Sequence, residues 1–395
     1  MRRRHGGAPC LIPEGQTPMR NISDTIARLT RAANLPTGAM GAHMFGGAGE
    51  ADRLTDLDAF GANPGGLRAR TYVPADLPQG APLVVVLHGC TQTAAGYDHG
   101  SGWSRLADRH GFALLFPEQR RANNPNLCFN WFVPADTVRD DGEPLSIRNM
   151  VAQMIADHGV DPARVFVTGL SAGGAMTAVM LATYPDVFAG GAAIAGLPYG
   201  SASTVPEAFD RMRGHGGPSR DLLAERARAA AGHDGRWPTL SIWQGAADQT
   251  VAQSNADAIA GQWRDLHGLP ERPTQEEMID GHRHRVWHDA NGRSVLEEYR
   301  IAGMGHGTPI DPTAGSDHGA SAAYMLDAGI ASSHLILRFW GLETDAEEMT
   351  VDAAEEQRAE TPASPFAMPM GTPMAMGGPV GTVIETALRN AGLMK

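Results

Sequence analysis

A glycine-rich segment at residues 169–173 constrains the fold of this chain more than any other feature. Its sequence is G-L-S-A-G, and it lies between an apolar run at residues 165–167, which predicts a buried β-strand, and residues 174–181, which predict a helix. A serine between such elements sits on a sharp turn, where a Cβ on either glycine would collide with the neighbouring strand and helix. The Ser171 hydroxyl would then lie above the sheet edge, beside the N-terminus of the following helix. The N–H groups of that terminus would stabilise the negative charge that develops during the reaction. The alternative is that the pentapeptide has no catalytic role and only forms a tight glycine turn into a packed helix.

Two residues after Ser171 complete a pattern typical of nucleophilic catalysis. A serine alone is a weak nucleophile and needs a base that a third group holds in place. Asp248 follows a short apolar strand predicted at residues 238–245, and His306 lies in a glycine-rich loop after a strand predicted at residues 298–301. The order serine, acid, histidine is that of α/β-hydrolases. We therefore predict Ser171 as nucleophile, His306 as base and Asp248 as the group that orients the imidazole.

The other histidines are interpreted as non-catalytic. The chain has 15 of them, and position favours only His306. The densest group, His282, His284 and His288, lies in a polar and charged stretch before a strand. We expect these three side chains to be solvated.

An oxyanion-binding loop is predicted after an early strand. Residues 83–87 are continuously apolar, as in a strand buried on both faces, and they run into H-G-C-T-Q at residues 88–92. In this arrangement the loop supplies one backbone N–H, and the residue after the nucleophile supplies the other. We assign these donors to Cys90 and Ala172. His88 is expected to brace the loop rather than to transfer protons.

Six segments form a joint pattern: H-G-C-T-Q-T (88–93), F-P-E-Q (116–119), N-P-N-L-C-F-N-W-F (124–132), G-L-S-A-G-G-A-M (169–176), I-A-G-L-P-Y-G (194–200) and G-M-G-H-G (303–307). Together they resemble the polyhydroxybutyrate depolymerase-type esterases. The resemblance covers roughly residues 60 to 342, and two closing segments, L-D-A-G-I-A-S-S at 326–333 and R-F-W-G-L at 338–342, also fit. One segment departs from the family pattern, because R-D-D-G-E at residues 139–143 has an acidic residue where the family has glycine.

The resemblance implies an α/β-hydrolase fold with a mostly parallel central sheet and helices on both faces. It implies a serine esterase that hydrolyses a short-chain poly(3-hydroxyalkanoate), or its oligomers, through an acyl-enzyme, with no cofactor and no metal. The broader group includes feruloyl and acetylxylan esterases, which leaves a carboxylesterase of that type as the alternative. A non-catalytic protein that binds a partner or a polymer granule is the third reading, and the presence of all three catalytic residue types disfavours it.

Substrate binding is predicted beside an aromatic pair. A polyester presents esters and small methyl branches, so its groove should be apolar with few charges. Trp131 and Phe132 follow a loop of turn-forming residues, and packing and binding explain them about equally well. We predict Trp131 as a wall of the acyl or alcohol subsite and Asn130 as the residue that positions its loop. Trp287 is interpreted as a packing residue in a strand.

Charge and cysteine content restrict the partners and the compartment. A net charge of −12 argues against nucleic acid and anionic membranes as partners. No apolar run approaches the ~18 residues of a transmembrane helix, and no apolar signal segment follows the basic residues 2–4. These features predict a cytoplasmic enzyme. Cys90 and Cys128 lie in loops expected to be neighbours. Such a pair could be bridged in secreted relatives, whereas a reducing cytoplasm favours two thiols.

Composition divides the chain into four parts. Residues 1–66 contain a capped helix from Asn21 and a glycine-rich tether, and residues 67–342 form the catalytic domain. Residues 343–379 are acidic and then rich in Pro, Gly and Met, as in a flexible linker. Residues 380–395 predict a short amphipathic helix, which should dock on its own domain, a second copy or a granule surface. A polar helix within residues 199–237 could form a cap or a plain crossover.

Overall fold

A ten-stranded sheet forms the centre of the molecule. The computed structural model of the chain describes residues 52–233 and 235–343. The sheet has the order β1-β2-β4-β3-β5-β6-β7-β10-β9-β8, and two short strands, β11 and β12, form a separate parallel pair. The strands are β1 Thr55–Asp56, β2 Arg68–Tyr72, β3 Leu83–Leu87, β4 Ala113–Glu118, β5 Val165–Leu170, β6 Gly190–Ile194, β7 Thr239–Gly245, β8 Gln275–Ile279, β9 His282–His288, β10 Ser294–Ile301, β11 Thr308–Ile310 and β12 Met325–Asp327.

The middle of the sheet is parallel and its margins are antiparallel. Strands β4, β3, β5, β6, β7 and β10 run in one direction. Antiparallel pairs extend the sheet through β2 and β1 on one side and through β9 and β8 on the other. Because parallel strands end at the same edge, the loops after β3, β5, β7 and β10 lie along one edge of the sheet.

Helices cover both faces of the sheet, as the sequence predicts. In β3, Leu83, Val85 and Leu87 belong to the apolar cluster that includes residues of α3, α4, α6 and α7. Val84 and Val86 belong to the opposite cluster, which includes residues of α1, α2 and α8. The helices are α1 Ala94–Ser101, α2 Trp103–His110, α3 Gly142–His158, α4 Ala172–Thr183, α5 Val205–Met212, α6 Arg220–Ala231, α7 Ser254–His267 and α8 Ser332–Phe339, with 3₁₀ turns at Pro134–Asp136 and Ser316–His318.

The folded unit extends further towards the N-terminus than residue 67. Strand β1 pairs with β2, and Leu54 is buried in the core. Residues 52–66 are therefore part of the domain rather than of a tether. The helix predicted from Asn21, the first part of the tether and nearly all of residues 343–395 lie outside the described residues.

The structure shows how helix α6 and the histidines of β9 are packed. Helix α6 packs against α7 and α4 with Leu223, Ala224 and Ala227 buried, so it is a crossover helix. The expectation that the histidine cluster is solvated was wrong, because His282 and His284 are each only 6% exposed. Both alternate along β9 with more exposed arginines, so the strand turns these two histidine side chains towards the protein interior. In the described part of the chain no helix is both long and apolar enough to cross a membrane.

Candidate active site

Ser171 lies on the sharp turn between β5 and α4, and we call this turn, residues 169–173, the elbow. Its φ of 57° and ψ of −114° are unusual for a residue with a side chain, and such conformations cost roughly 1–3 kcal/mol. The turn is fixed by its surroundings: the Ser171 N–H donates to the Ile194 carbonyl at 2.8 Å. A Cβ on Gly169 would lie 2.6 Å from the Leu87 carbonyl oxygen, and one on Gly173 would meet the same atom more closely still. The backbone therefore requires glycine on both sides of the serine.

The three residues predicted as a catalytic group meet at this edge of the sheet. The Ser171 Oγ lies 2.9 Å from the His306 Nε2, and the His306 Nδ1 lies 2.8 Å from the Asp248 Oδ2. The Asp248 side chain is fully buried and the His306 side chain is 10% exposed. With Nδ1–H donating to the carboxylate, the Nε2 lone pair faces the serine hydroxyl. This arrangement can remove the proton from Ser171 as the oxygen attacks a carbonyl.

Neighbouring strands hold Asp248 and His306 in register. Asp248 follows β7 and His306 follows β10, which is the parallel neighbour of β7. The two loops are joined directly, since the Ala246 N–H donates to the Ile301 carbonyl at 2.9 Å and the Ala247 N–H to the Met304 carbonyl at 2.8 Å. The relative position of acid and imidazole is thus set by backbone hydrogen bonds.

The buried Asp248 carboxylate is well satisfied. Its Oδ1 accepts hydrogen bonds from the Thr250 N–H at 2.8 Å and the Val251 N–H at 2.9 Å. Its Oδ2 accepts from the Gln244 amide at 3.1 Å as well as from His306. Because a buried carboxylate is costly without donors, these bonds satisfy both of its oxygens and hold it in place beside the imidazole.

The two predicted oxyanion donors, the N–H groups of Cys90 and Ala172, are both without a protein acceptor among the described residues. In the loop after β3, the N–H groups of Gly89, Thr91 and Gln92 donate to protein acceptors. Among the described residues the Cys90 N–H has no such acceptor. Ala172 is the first residue of α4, where N–H groups have no intrahelical partner. Both N–H groups are therefore available to a ligand.

His88 is a buried structural residue rather than a proton carrier. Its Nδ1 lies 2.8 Å from the Gly89 carbonyl oxygen, and its Nε2 accepts from the Gln119 N–H at 3.1 Å. This pattern fixes a neutral ring, and burial lowers the pKa of His88. The imidazole joins the predicted oxyanion loop to the end of β4, as a bracing role requires.

A second layer behind that loop centres on Glu143, which the sequence analysis did not single out. The side chain is fully buried and accepts hydrogen bonds from the Gln119 amide at 2.6 Å and from the Asn130 N–H at 3.0 Å. Burial raises the pKa of Glu143 well above its usual value, and the nearby Asp136 adds to the effect. Its place in the R-D-D-G-E segment was the available signal.

The expectation that Cys90 and Cys128 are free thiols was wrong, since the two residues form a disulfide. They are neighbours, as the sequence suggested. The bridge ties the predicted oxyanion loop to residues 124–132, and a Thr91 N–H bond to the Asn126 carbonyl at 2.7 Å reinforces the same junction. The inference of thiols rested on the compartment rather than on the local sequence.

The predicted substrate residues are mostly enclosed. Trp131 is 7% exposed and packs edge-on against Phe132, with ring centroids 5.3 Å apart. Asn130 bonds to Asn124 at 2.9 Å and to Asp136 at 3.2 Å through its side chain. These contacts hold the loop in shape. Near the imidazole, the ring of Tyr324 stands edge-on to His306 at 6.2 Å, a neighbour that no sequence pattern indicated.

Comparison with known proteins identifies the family. Residues 69–289 match the family model described as Esterase PHB depolymerase. The chain belongs to this esterase family. It is 47% identical over 291 residues to poly(3-hydroxyalkanoate) depolymerase C of Paucimonas lemoignei, covering 73% of this chain and 70% of that protein. It is also 32% identical over 267 residues to feruloyl esterase B of Talaromyces funiculosus, with 65% of this chain and 74% of the relative covered.

A solved structure agrees with the observed topology. The acetyl xylan esterase from Aspergillus awamori matches with a TM-score of 0.63 and 25% identity, covering 73% of this chain and 99% of that one. The predicted α/β-hydrolase fold is confirmed, and the protein is a carboxylic ester hydrolase.

Proposed function

We propose that Ser171, His306 and Asp248 form the catalytic triad of an esterase for short-chain poly(3-hydroxyalkanoate) or its oligomers. The observation that carries the proposal is the pair of contacts at 2.9 Å and 2.8 Å that joins serine, imidazole and carboxylate. The acyl class is taken from the 47% identical depolymerase, against about 32% for the feruloyl esterase.

The reaction proceeds in two halves. As the Ser171 Oγ attacks the ester carbonyl, the His306 Nε2 takes its proton, and the N–H groups of Cys90 and Ala172 bind the developing oxyanion. His306 then gives the proton to the leaving hydroxyacid oxygen, and Ser171 keeps the acyl group. Water attacks the acyl-enzyme with His306 again as base, which releases the acid and restores the serine.

Covalent labelling and substitution test the triad. A fluorophosphonate should label the protein stoichiometrically, whereas Ser171→Ala should abolish labelling and reduce turnover on the order of 10⁴-fold or more with folding intact. Ser294→Ala, at the exposed start of β10, is the matched control and should behave like the unaltered enzyme. Near-normal hydrolysis by folded Ser171→Ala would reject the assignment.

A substrate panel distinguishes the acyl classes. Turnover of 3-hydroxybutyrate oligomers and amorphous polymer should exceed that of feruloyl and acetylxylan esters by more than tenfold. A preference for either sugar-linked ester would favour the alternative carboxylesterase.

We propose Trp131 as a wall of the acyl or alcohol subsite and Asn130 as the residue that positions its loop.

Granule attachment and compartment belong to the same proposal. We propose that the segment at residues 380–395 binds the polymer granule surface, which truncation after residue 343 and a granule pull-down would test.

The cytoplasmic location predicted from the sequence conflicts with the Cys90–Cys128 bridge, because disulfides persist in oxidising compartments. We therefore favour an oxidising compartment, and fractionation with thiol alkylation in the native host distinguishes the two.

A further inference from the structure

Two histidines and an aspartate converge away from the Ser171 site. Asp317 and His318 belong to the 3₁₀ turn Ser316–His318, and His334 belongs to α8. One nitrogen or oxygen of each side chain lies within 4.8 Å of the others. The imidazoles of His318 and His334 are stacked with their centroids 3.8 Å apart. We call these three residues the Asp-His-His cluster.

The cluster contains a buried polar atom without a hydrogen bond. The His334 side chain is 9% exposed, and its Nε2 makes no hydrogen bond to any described residue. This atom faces the Asp317 Oδ2 at 3.4 Å, and that oxygen is enclosed as well. Buried polar groups are nearly always satisfied, so an imidazole nitrogen in this position calls for a ligand.

The spacing and the donor types fit a zinc-like cation. Two ligand atoms about 2.0–2.1 Å from one tetrahedral zinc lie roughly 3.3 Å apart, close to the 3.4 Å between Asp317 Oδ2 and His334 Nε2. Two imidazoles and one carboxylate suit zinc and its neighbours in the first transition series, whereas Ca²⁺ and Mg²⁺ take oxygen ligands. We propose that the Asp-His-His cluster is a binding site for a divalent transition metal.

A second carboxylate orients one of the ligands. The Glu343 Oε1 lies 3.5 Å from the His334 Nδ1, on the ring edge away from the cluster. The Arg338 Nε donates to the Glu343 Oε2 at 2.8 Å and holds the carboxylate in place. Metal-binding histidines commonly give their other N–H to a carboxylate, which fixes the tautomer. His334 is therefore prepared to present Nε2 as a lone pair.

One cation competes for the same carboxylate. The Arg109 NH1 lies 2.5 Å from the Asp317 Oδ2, and the arginine side chain is 55% exposed. Because so much of the side chain is in solvent, the guanidinium can move out when a metal takes the oxygen. The competition predicts that removal of Arg109 tightens metal binding.

The metal would link the segment that follows β11 to helix α8. The 3₁₀ turn follows β11, whose first residue, Thr308, is two positions after His306. Helix α8 is anchored in the core through Ile336 and Leu337. A metal held by both elements is therefore a structural clamp, and it adds no step to the ester hydrolysis. No metal site was expected from the sequence, and the proposed clamp does not rest on the esterase chemistry.

Calorimetry on the chelator-treated full chain tests the site, with Zn²⁺ as the probe and Ca²⁺ as the comparison. One Zn²⁺ should bind per chain, and at about 100 times its Kd the Tm should rise by roughly 5 °C. His318→Ala and Asp317→Asn should weaken binding by at least about tenfold, and Glu343→Gln by about tenfold. Arg109→Ala should tighten it. His215→Ala, an exposed histidine elsewhere, is the control.

A spectroscopic readout covers the case in which a variant fails to fold. Co²⁺ in the unaltered chain should give the intense visible bands of a tetrahedral site, and His318→Ala should lose them while a p-nitrophenyl ester is still hydrolysed. Unchanged Zn²⁺ affinity and unchanged Co²⁺ spectra in His318→Ala would overturn the proposal. Binding of Ca²⁺ as tightly as Zn²⁺ would do the same.

Discussion

Reduction of the Cys90–Cys128 disulfide should destabilise the enzyme without removing its chemistry. The bridge joins residues separated by 38 positions. With a loop of that length, the chain-entropy relation gives about 4 kcal/mol of stabilisation at 25 °C, through restriction of the unfolded chain. For a domain of this size, about 4 kcal/mol corresponds to a decrease in Tm of roughly 8 °C.

The assay compares Cys90→Ser, Cys128→Ser and the double variant with the oxidised protein. Urea unfolding with and without a reductant gives the free energy of unfolding, and hydrolysis of a soluble p-nitrophenyl ester gives the activity. The single and double variants should lose similar stability, because each lacks the same bridge. Substantial activity should remain below the lowered Tm, since we propose that Cys90 acts through its backbone N–H. Cys10 lies outside the described residues, and Cys10→Ser should leave the reductant effect unchanged.

Two results would refute this reasoning. If a reductant leaves the unfolding curve of the unaltered protein unchanged, the two cysteines are not bridged. If Cys90→Ser loses as much activity as Ser171→Ala while it remains folded, the cysteine side chain itself is required. In that case either another group would be the oxyanion donor, or the disulfide would be indispensable to the conformation of the loop.

Three further predictions concern the elbow, the aromatic wall and pH. Gly173→Ala should cost at least about 1–3 kcal/mol of stability and most activity, because the new Cβ meets a backbone carbonyl that cannot move aside; unchanged urea unfolding would contradict it. Trp131→Ala should reduce hydrolysis of hydroxybutyrate oligomers more than that of a p-nitrophenyl ester, whereas equal losses or a lower Tm with activity kept would assign the ring to packing. Burial lowers the pKa of His284, but contacts with Glu297 and Glu277 outweigh it and raise the pKa above 6.5. The stabilisation is complete below the unfolded value and is lost as pH rises through the folded one, so urea unfolding should show Glu297→Gln costing more at about pH 6 than at about pH 9. Glu277→Gln, whose native side chain is 57% exposed, is the weaker control, and a cost independent of pH would exclude the pair.

The parts of the fold that the sequence predicts best are those under backbone constraint. Strand β3 was predicted at the observed residues, because a run buried on both faces contains only large apolar side chains. The elbow was readable for a similar reason, since only glycine fits where a Cβ would meet a strand carbonyl. The order of Ser171, Asp248 and His306 could be used because each follows a parallel strand, and such strands end at one edge.

Side-chain networks across long sequence distances could not be predicted in this way. Glu143 reaches the oxyanion loop through Gln119 and His88, which come from different elements and share no spacing pattern. The buried histidines of β9 are a different case. Their alternation with arginines was visible in H-R-H-R, and the period of two indicates one face turned towards the protein. Reading polarity alone, without that period, led to the wrong expectation.

The site divides into two halves that are stabilised by different means. The half that holds Ser171, Asp248 and His306 depends on backbone contacts, namely the glycine approach at the elbow and the bonds between the loops after β7 and β10. The proposed oxyanion half depends on side chains, namely the Cys90–Cys128 bridge and the buried Glu143. Because backbone contacts tolerate side-chain changes elsewhere, variation in the second half should alter transition-state binding while the triad stays assembled. Substitution of Glu143 should therefore reduce ester turnover more than it reduces labelling of Ser171 by a fluorophosphonate.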